Sequence, residues 1–187
     1  MTSMSDNVWP RTVVLGVGNL IHTDDGLGIH AIRKLQNDPR VPTGVELLDG
    51  GTFGIELLAF LENCSKLLLL DAVDVGQRAG TLVRMSGEDL FGLPGGASVH
   101  QLGVADLLAT LPLVTNAPQE VVLLGVQPSS TDWGCELTEP VAAALGLLVD
   151  ATVDQLRSWV HGAKGSATAA NAAENRASRE SIVLGSA

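Results

Sequence analysis

The chain has 187 residues, a formal net charge of −10 and only 17% charged residues, with 45% hydrophobic but just 3% aromatic side chains. That length suits one domain whose core is built from Leu, Val, Ile and Ala, and the apolar content excludes a wholly disordered chain. The acidic balance excludes the basic footprint of a nucleic-acid binder and argues against an anionic membrane surface as partner.

Residues 1–11 are polar, carry Met4 as an alternative start, and read as a flexible lead without the apolar stretch of a signal peptide. No run approaches the ~20 apolar residues needed to span a bilayer. Cys64 and Cys135 form no metal-binding spacing and read as reduced thiols of a cytoplasmic protein.

The first predicted strand is 13–17, followed by a helix over 26–36 that carries Leu27, Ile29, Ile32 and Leu35. A second strand is predicted at 45–49, and a helix over 53–63 with Ile55, Leu58 and Leu61 on one side. The third strand, 66–73, is apolar without alternation, as expected when both sheet faces are covered. A turn at 76–80 leads to a fourth strand at 81–85, so one antiparallel pair is expected. The segment 86–98 reads as loop, 101–111 as a helix, and 121–126 as a fifth, wholly apolar strand. A loop at 127–137 precedes Thr138, a predicted N-cap for a long amphipathic helix to about residue 160.

The expected fold is therefore α/β: a central twisted, mainly parallel five-stranded sheet with helices on both faces and one antiparallel strand. A single domain over 12–162 is expected, with 163–187, rich in Ala, Ser and Asn, as a disordered tail. In such a fold the chemistry sits beyond the carboxyl ends of the strands, near a topological switch point.

Several residues fall at that edge. Gly16-Val17-Gly18 opens like a dinucleotide fingerprint, but Ile21 stands where the third glycine is needed, so the glycines are read as serving a tight turn. Asp24 and Asp25 precede the first helix; capping accounts for one carboxylate better than for two. Asp71 ends an apolar strand, where a carboxylate is costly unless hydrogen-bonded, paired or metal-bound. His100 precedes the helix at 101–111 and leads to the same edge. Asp25, Asp71 and His100 make a sparse oxygen and nitrogen set for a divalent transition metal, with open positions for water or substrate. Asp49, in Asp49-Gly50-Gly51-Thr52, is either a turn residue or part of the cleft lining. His22, His30 and His161 have weaker claims.

These motifs resemble a known family. Leu15-Gly16-Val17-Gly18-Asn19 with Asp24-Asp25-Gly26-Leu27-Gly28 is similar to the opening motif of the [NiFe]-hydrogenase maturation endopeptidases. So are Leu48-Asp49-Gly50-Gly51-Thr52, Leu70-Asp71-Ala72, His100-Gln101-Leu102-Gly103 and Gly125-Val126-Gln127-Pro128, which follow in order over about residues 12–160. The resemblance implies cleavage of a C-terminal extension from the hydrogenase large-subunit precursor once nickel is loaded. It maps the family's three metal-binding positions onto Asp25, Asp71 and His100, with the nickel carried by the substrate and aspartyl groups prominent at the site. A metal-dependent hydrolase with its own zinc, and a non-catalytic nickel-checking chaperone, stay open beside it. So do the oligomeric state, monomer or higher, and the scissile bond. An aspartic-protease pair formed by Asp24 and Asp25 is disfavoured, because adjacent side chains should point apart.

Overall fold

The apolar runs predicted as strands lie side by side in one sheet. The computed structural model describes residues 11–90, 107, 110–113 and 118–160. Strands β1 (Thr12–Val17), β2 (Val45–Gly51), β3 (Lys66–Ala72), β4 (Leu82–Ser86) and β5 (Glu120–Val126) are ordered β2-β1-β3-β5-β4. Strands β2, β1, β3 and β5 run parallel, and β4 is antiparallel to β5. The antiparallel strand is thus present, but its partner is β5: the turn after β3 carries the chain past β5 to the sheet's far edge.

Both faces are covered, which is why the central strands lack alternation. On one face Val14, Leu68, Leu70 and Leu124 pack under helix α1 (Leu27–Leu35) and a long helix over 139–160. On the other, Val13, Leu15, Leu67, Leu69 and Leu123 pack against Leu57, Leu61, Leu107 and Leu111. No helix among the described residues is long and apolar enough to cross a membrane.

The segment 53–63 differs from its predicted helix. Only Ile55–Phe60 is helical, and it winds as 3-10 turns, with Leu57 N–H bonding Gly54 and Leu61 N–H bonding Leu58. Leu57 and Leu61 face the core, whereas Ile55 is 53% exposed. Gly54 precedes the segment without a capping side chain, and Asn63 at φ 59° turns the chain out of it. The segment is too short and uncapped to sustain α-helical bonding. Of the predicted helix at 101–111, Leu107 and Leu111 are buried as expected. His100, the lead 1–10 and the tail 163–187 lie outside the described residues.

The chain leaves β1 toward β2 on one side and then crosses to β3 on the other. The carboxyl ends of β1 and β3 therefore flank the switch point of this sheet.

Candidate active site at the carboxyl ends of β1 and β3

After β1 the chain turns sharply at Gly18, whose φ of 143° suits glycine and whose missing Cβ leaves room for the carbonyl of Asp25. The Asn19 amide then donates to Asp25 twice, to its carboxylate Oδ2 at 3.0 Å and to its carbonyl at 3.3 Å. The Asp25 amide in turn donates to the His22 carbonyl at 3.0 Å. Asp25 sits in a single 3-10 turn, Thr23–Gly26, that runs directly into α1. The carboxylate is buried by this folded-back loop.

Asp71 occupies the end of β3 and is fully buried; its Oδ1 accepts the amide of Ala72 at 2.8 Å. Strand parity puts it on the face of Leu67 and Leu69, the face that Leu107 and Leu111 cover. Gly28, three residues after Asp25, has its Cα against the carbonyl of Leu70, one residue before Asp71. This backbone contact is what brings the two carboxylates to one edge. Burying a carboxylate is costly unless donors or a cation compensate; the Asn19 amide donates to Asp25 and the Ala72 amide to Asp71. Among the described residues no third His, Cys, Asp or Glu completes a metal-holding group.

Asp24 does not cap its own turn. It is fully buried and takes hydrogen bonds from Ser129, Ser130 and Thr138. Thr138 stands at the predicted N-cap position of the 139–160 helix, its carbonyl accepting the Ala142 amide at 2.8 Å, while its hydroxyl donates to Asp24. The two adjacent carboxylates take their hydrogen bonds from different segments, Asp24 from residues 129–138 and Asp25 from Asn19.

Asp49 is exposed and accepts the Gly51 amide at 3.0 Å, closing the turn that Gly51 makes at φ 52°. His22 is stacked on Trp133 at 4.5 Å between centroids, with Nδ1 3.0 Å from the Thr131 carbonyl. His30 lies in α1, where burial and then Arg33 lower its pKa. Cys64 is buried, which raises its thiol pKa, and Cys135 is exposed; both are free.

Gln127 was noted in the sequence only as part of a motif. Its side chain is buried: Oε1 accepts the amides of Val75 and Gln77 at 2.9 and 3.0 Å, and Nε2 donates to Asp74 at 2.9 Å. That hydrogen bond and the Gly76 amide hold the Asp74 carboxyl below its ordinary pKa. Gln127 thereby ties down the chain just beyond Asp71. A glutamine after an apolar strand and before a proline was the available signal.

Residues 29–155 match the hydrogenase maturation protease family. The chain belongs to that family. It is 38% identical over 152 residues to the hydrogenase expression/formation protein HupD of Rhodobacter capsulatus, covering 80% of this chain and 72% of that one. It is 36% identical over 149 residues to the hydrogenase 2 maturation protease of Escherichia coli K12, covering 79% and 91%. Among solved structures, the hydrogenase maturating endopeptidase HybD from E. coli superposes with a TM-score of 0.73 at 35% identity, covering 79% of this chain and 93% of that one. The [NiFe] hydrogenase maturation protease HybD from Thermococcus kodakarensis gives 0.67 at 26% identity, covering 78% and 99%. Such relatives are peptide hydrolases, and this hydrogenase maturation protease is an enzyme of the same kind. Asp71 and His100 fall inside the matched range 29–155, and Asp25 lies just ahead of it.

Proposed function

We propose that this maturation protease removes the C-terminal extension of a nickel-loaded [NiFe]-hydrogenase large-subunit precursor in the cytoplasm. Asp25, Asp71 and His100 contact the nickel that the precursor carries. The observation that carries this reading is the pair of buried carboxylates, Asp25 and Asp71, held at one switch-point edge. An anionic edge favours a substrate segment that presents a divalent cation.

The division of labour follows from the side chains. Asp25 and Asp71 supply charge and hard oxygen ligands, and His100 supplies a neutral nitrogen ligand. Nickel held by the substrate and gripped by this trio fixes the adjoining peptide in register. It is also placed to act as a Lewis acid on the scissile carbonyl. Water adds to that carbonyl carbon, the peptide C–N bond breaks, and the departing amine takes up a proton. Nickel-free precursor lacks the gripped ion, so cleavage waits for loading. Asp24 stays outside this chemistry because its carboxylate is bonded elsewhere.

The test is an in vitro processing assay on nickel-loaded and nickel-free precursor. Wild-type protein should cut only the loaded form. Asp71→Asn keeps volume but removes charge, and His100→Ala removes the imidazole. Each should slow cleavage by about 10²-fold or more, as when a group that stabilises developing charge is lost, with circular dichroism unchanged. Equal cleavage of both precursor forms would favour a hydrolase with its own metal. No cleavage by wild-type protein, with retained binding to loaded precursor, would favour a chaperone. Wild-type rates in both variants would remove the trio from the mechanism.

A further inference from the structure

Asp24 shares a peptide bond with Asp25 but serves a different part of the molecule. Its Oδ2 accepts the Ser129 amide at 2.8 Å, the Ser130 amide at 3.0 Å and the Thr138 hydroxyl at 2.8 Å; its Oδ1 accepts the Thr138 amide at 2.7 Å. All these donors lie more than a hundred residues away in sequence. The backbone extends the same seam. The Thr23 amide bonds the Gly134 carbonyl at 2.8 Å, the Gly134 amide bonds the Ile21 carbonyl at 3.0 Å, and the Asp24 amide bonds the Ser130 carbonyl at 3.2 Å. The Thr23 hydroxyl adds a bond to the Ser130 carbonyl at 2.6 Å.

This is more anchoring than one 3-10 turn needs to persist. The turn's own bonds are few, and Thr23 sits at φ 39°, which a β-branched residue adopts only when its surroundings impose it. We infer that Asp24 is a positioning residue: it locks the 22–25 turn onto residues 129–138 and thereby fixes where the Asp25 carboxylate stands. The inference deepens the proposed role of Asp25 and rests on it for its catalytic consequence. An anionic carboxylate is the right group, because every bond it makes at this site is accepted. The charge strengthens each of those bonds. Asparagine at this position keeps one accepting oxygen, but its NH2 must then face an N–H donor that the carboxylate had satisfied.

The experiment uses the full chain, as wild type and as Asp24→Asn, Thr138→Val, Thr138→Ser and Thr152→Val. The last removes a buried hydroxyl that bonds Leu148 within the 139–160 helix, and serves as the stability control. Nickel-loaded precursor is the substrate, and kcat and KM are measured well below each variant's Tm. Asp24→Asn should lose about 10²-fold in kcat with KM little changed, the scale of a displacement of about 1 Å at a reacting group. Thr138→Val should lose kcat in the same sense but less, Thr138→Ser should restore it, and Thr152→Val should keep it. In substrate-free protein the Asn19 amide, which donates to Asp25, should shift its NMR resonance and exchange faster in Asp24→Asn and Thr138→Val only.

Wild-type kcat in a folded Asp24→Asn variant, or an equal loss in Thr152→Val at matched Tm, would overturn the inference. If Asp24→Asn does not fold, the Thr138 pair decides. If wild-type protein does not cut the precursor, the proposed reaction falls, and the Asn19 amide alone decides whether Asp24 positions Asp25.

Discussion

Two glycines in helices should respond to the same substitution with opposite signs. Gly28 lies in the first turn of α1, and a Cβ added there would sit 2.7 Å from the Val17 amide nitrogen and closer still to the carbonyl oxygens of Val17 and Leu70. An ordinary carbon contact is about 3.5 Å, and these neighbours are backbone with no rotamer to yield. Helix α1 must therefore back away from β1 and β3, loosening Leu27, Ile32 and Leu35 in the core. Overpacking of this kind costs about 3 kcal/mol at the upper end of its usual range. Alanine's better helix propensity returns about 1 kcal/mol. The net loss of about 2 kcal/mol lowers Tm by about 4–8 °C for a domain of this size. Gly146 sits inside the 139–160 helix with nothing within 4 Å of its added Cβ. There Gly146→Ala should gain the propensity term alone, about 1 kcal/mol, and raise Tm by about 2–4 °C. Thermal denaturation followed at 222 nm measures both. If Gly28→Ala were as stable as wild type or more so, the close helix–sheet contact that brings Asp25 toward Asp71 would be refuted.

Two further outcomes follow from named groups. Asp38 is hydrogen-bonded by Arg40, which brings its pKa from 3.8 to about 2. A depressed carboxyl pKa means the contribution of this pair to stability is present above 3.8 and lost as pH falls through about 2. An NMR titration of the Asp38 carboxyl should place its midpoint near the lower value, and a midpoint at 3.8 would show that the pair does not persist in solution. A thiol reagent should modify exposed Cys135 rapidly in native protein, but buried Cys64 only at the rate of unfolding. Simultaneous labelling of both would contradict the packing of Cys64 beneath β1 and β3.

The strands were legible because their burial is two-sided: Leu67 to Leu70 must be apolar at every position when helices cover both faces. Asp71 stood out against that run for the same reason. Asp25 was legible through its place after a glycine-rich strand exit. The segment after β2 departs from its predicted helix because Ile55, Leu58 and Leu61 keep helical spacing, while the core takes Leu57 and Leu61, with Leu58 partly buried, and leaves Ile55 exposed. Spacing alone does not tell which of two overlapping apolar stripes faces inward. The neighbour of β4 was not legible either, since a turn from β3 carries no record of a strand inserted between the two. Nor was the work of Asp24. A sequence shows two adjacent carboxylates, but their donors at 129, 130 and 138 become neighbours only after the sheet is built.

The long sequence separation across the Asp24 seam also orders events during synthesis. By the time Gly125 emerges, all the strand residues flanking the switch point exist, yet no donor for Asp24 has been made. Loop closure over more than a hundred residues must be paid for before these bonds form. The turn that carries Asp25 is therefore among the last parts to take its final shape. A nascent chain holds both acidic groups long before it holds them in place, because the donors at 129, 130 and 138 follow Asp24 by more than a hundred residues.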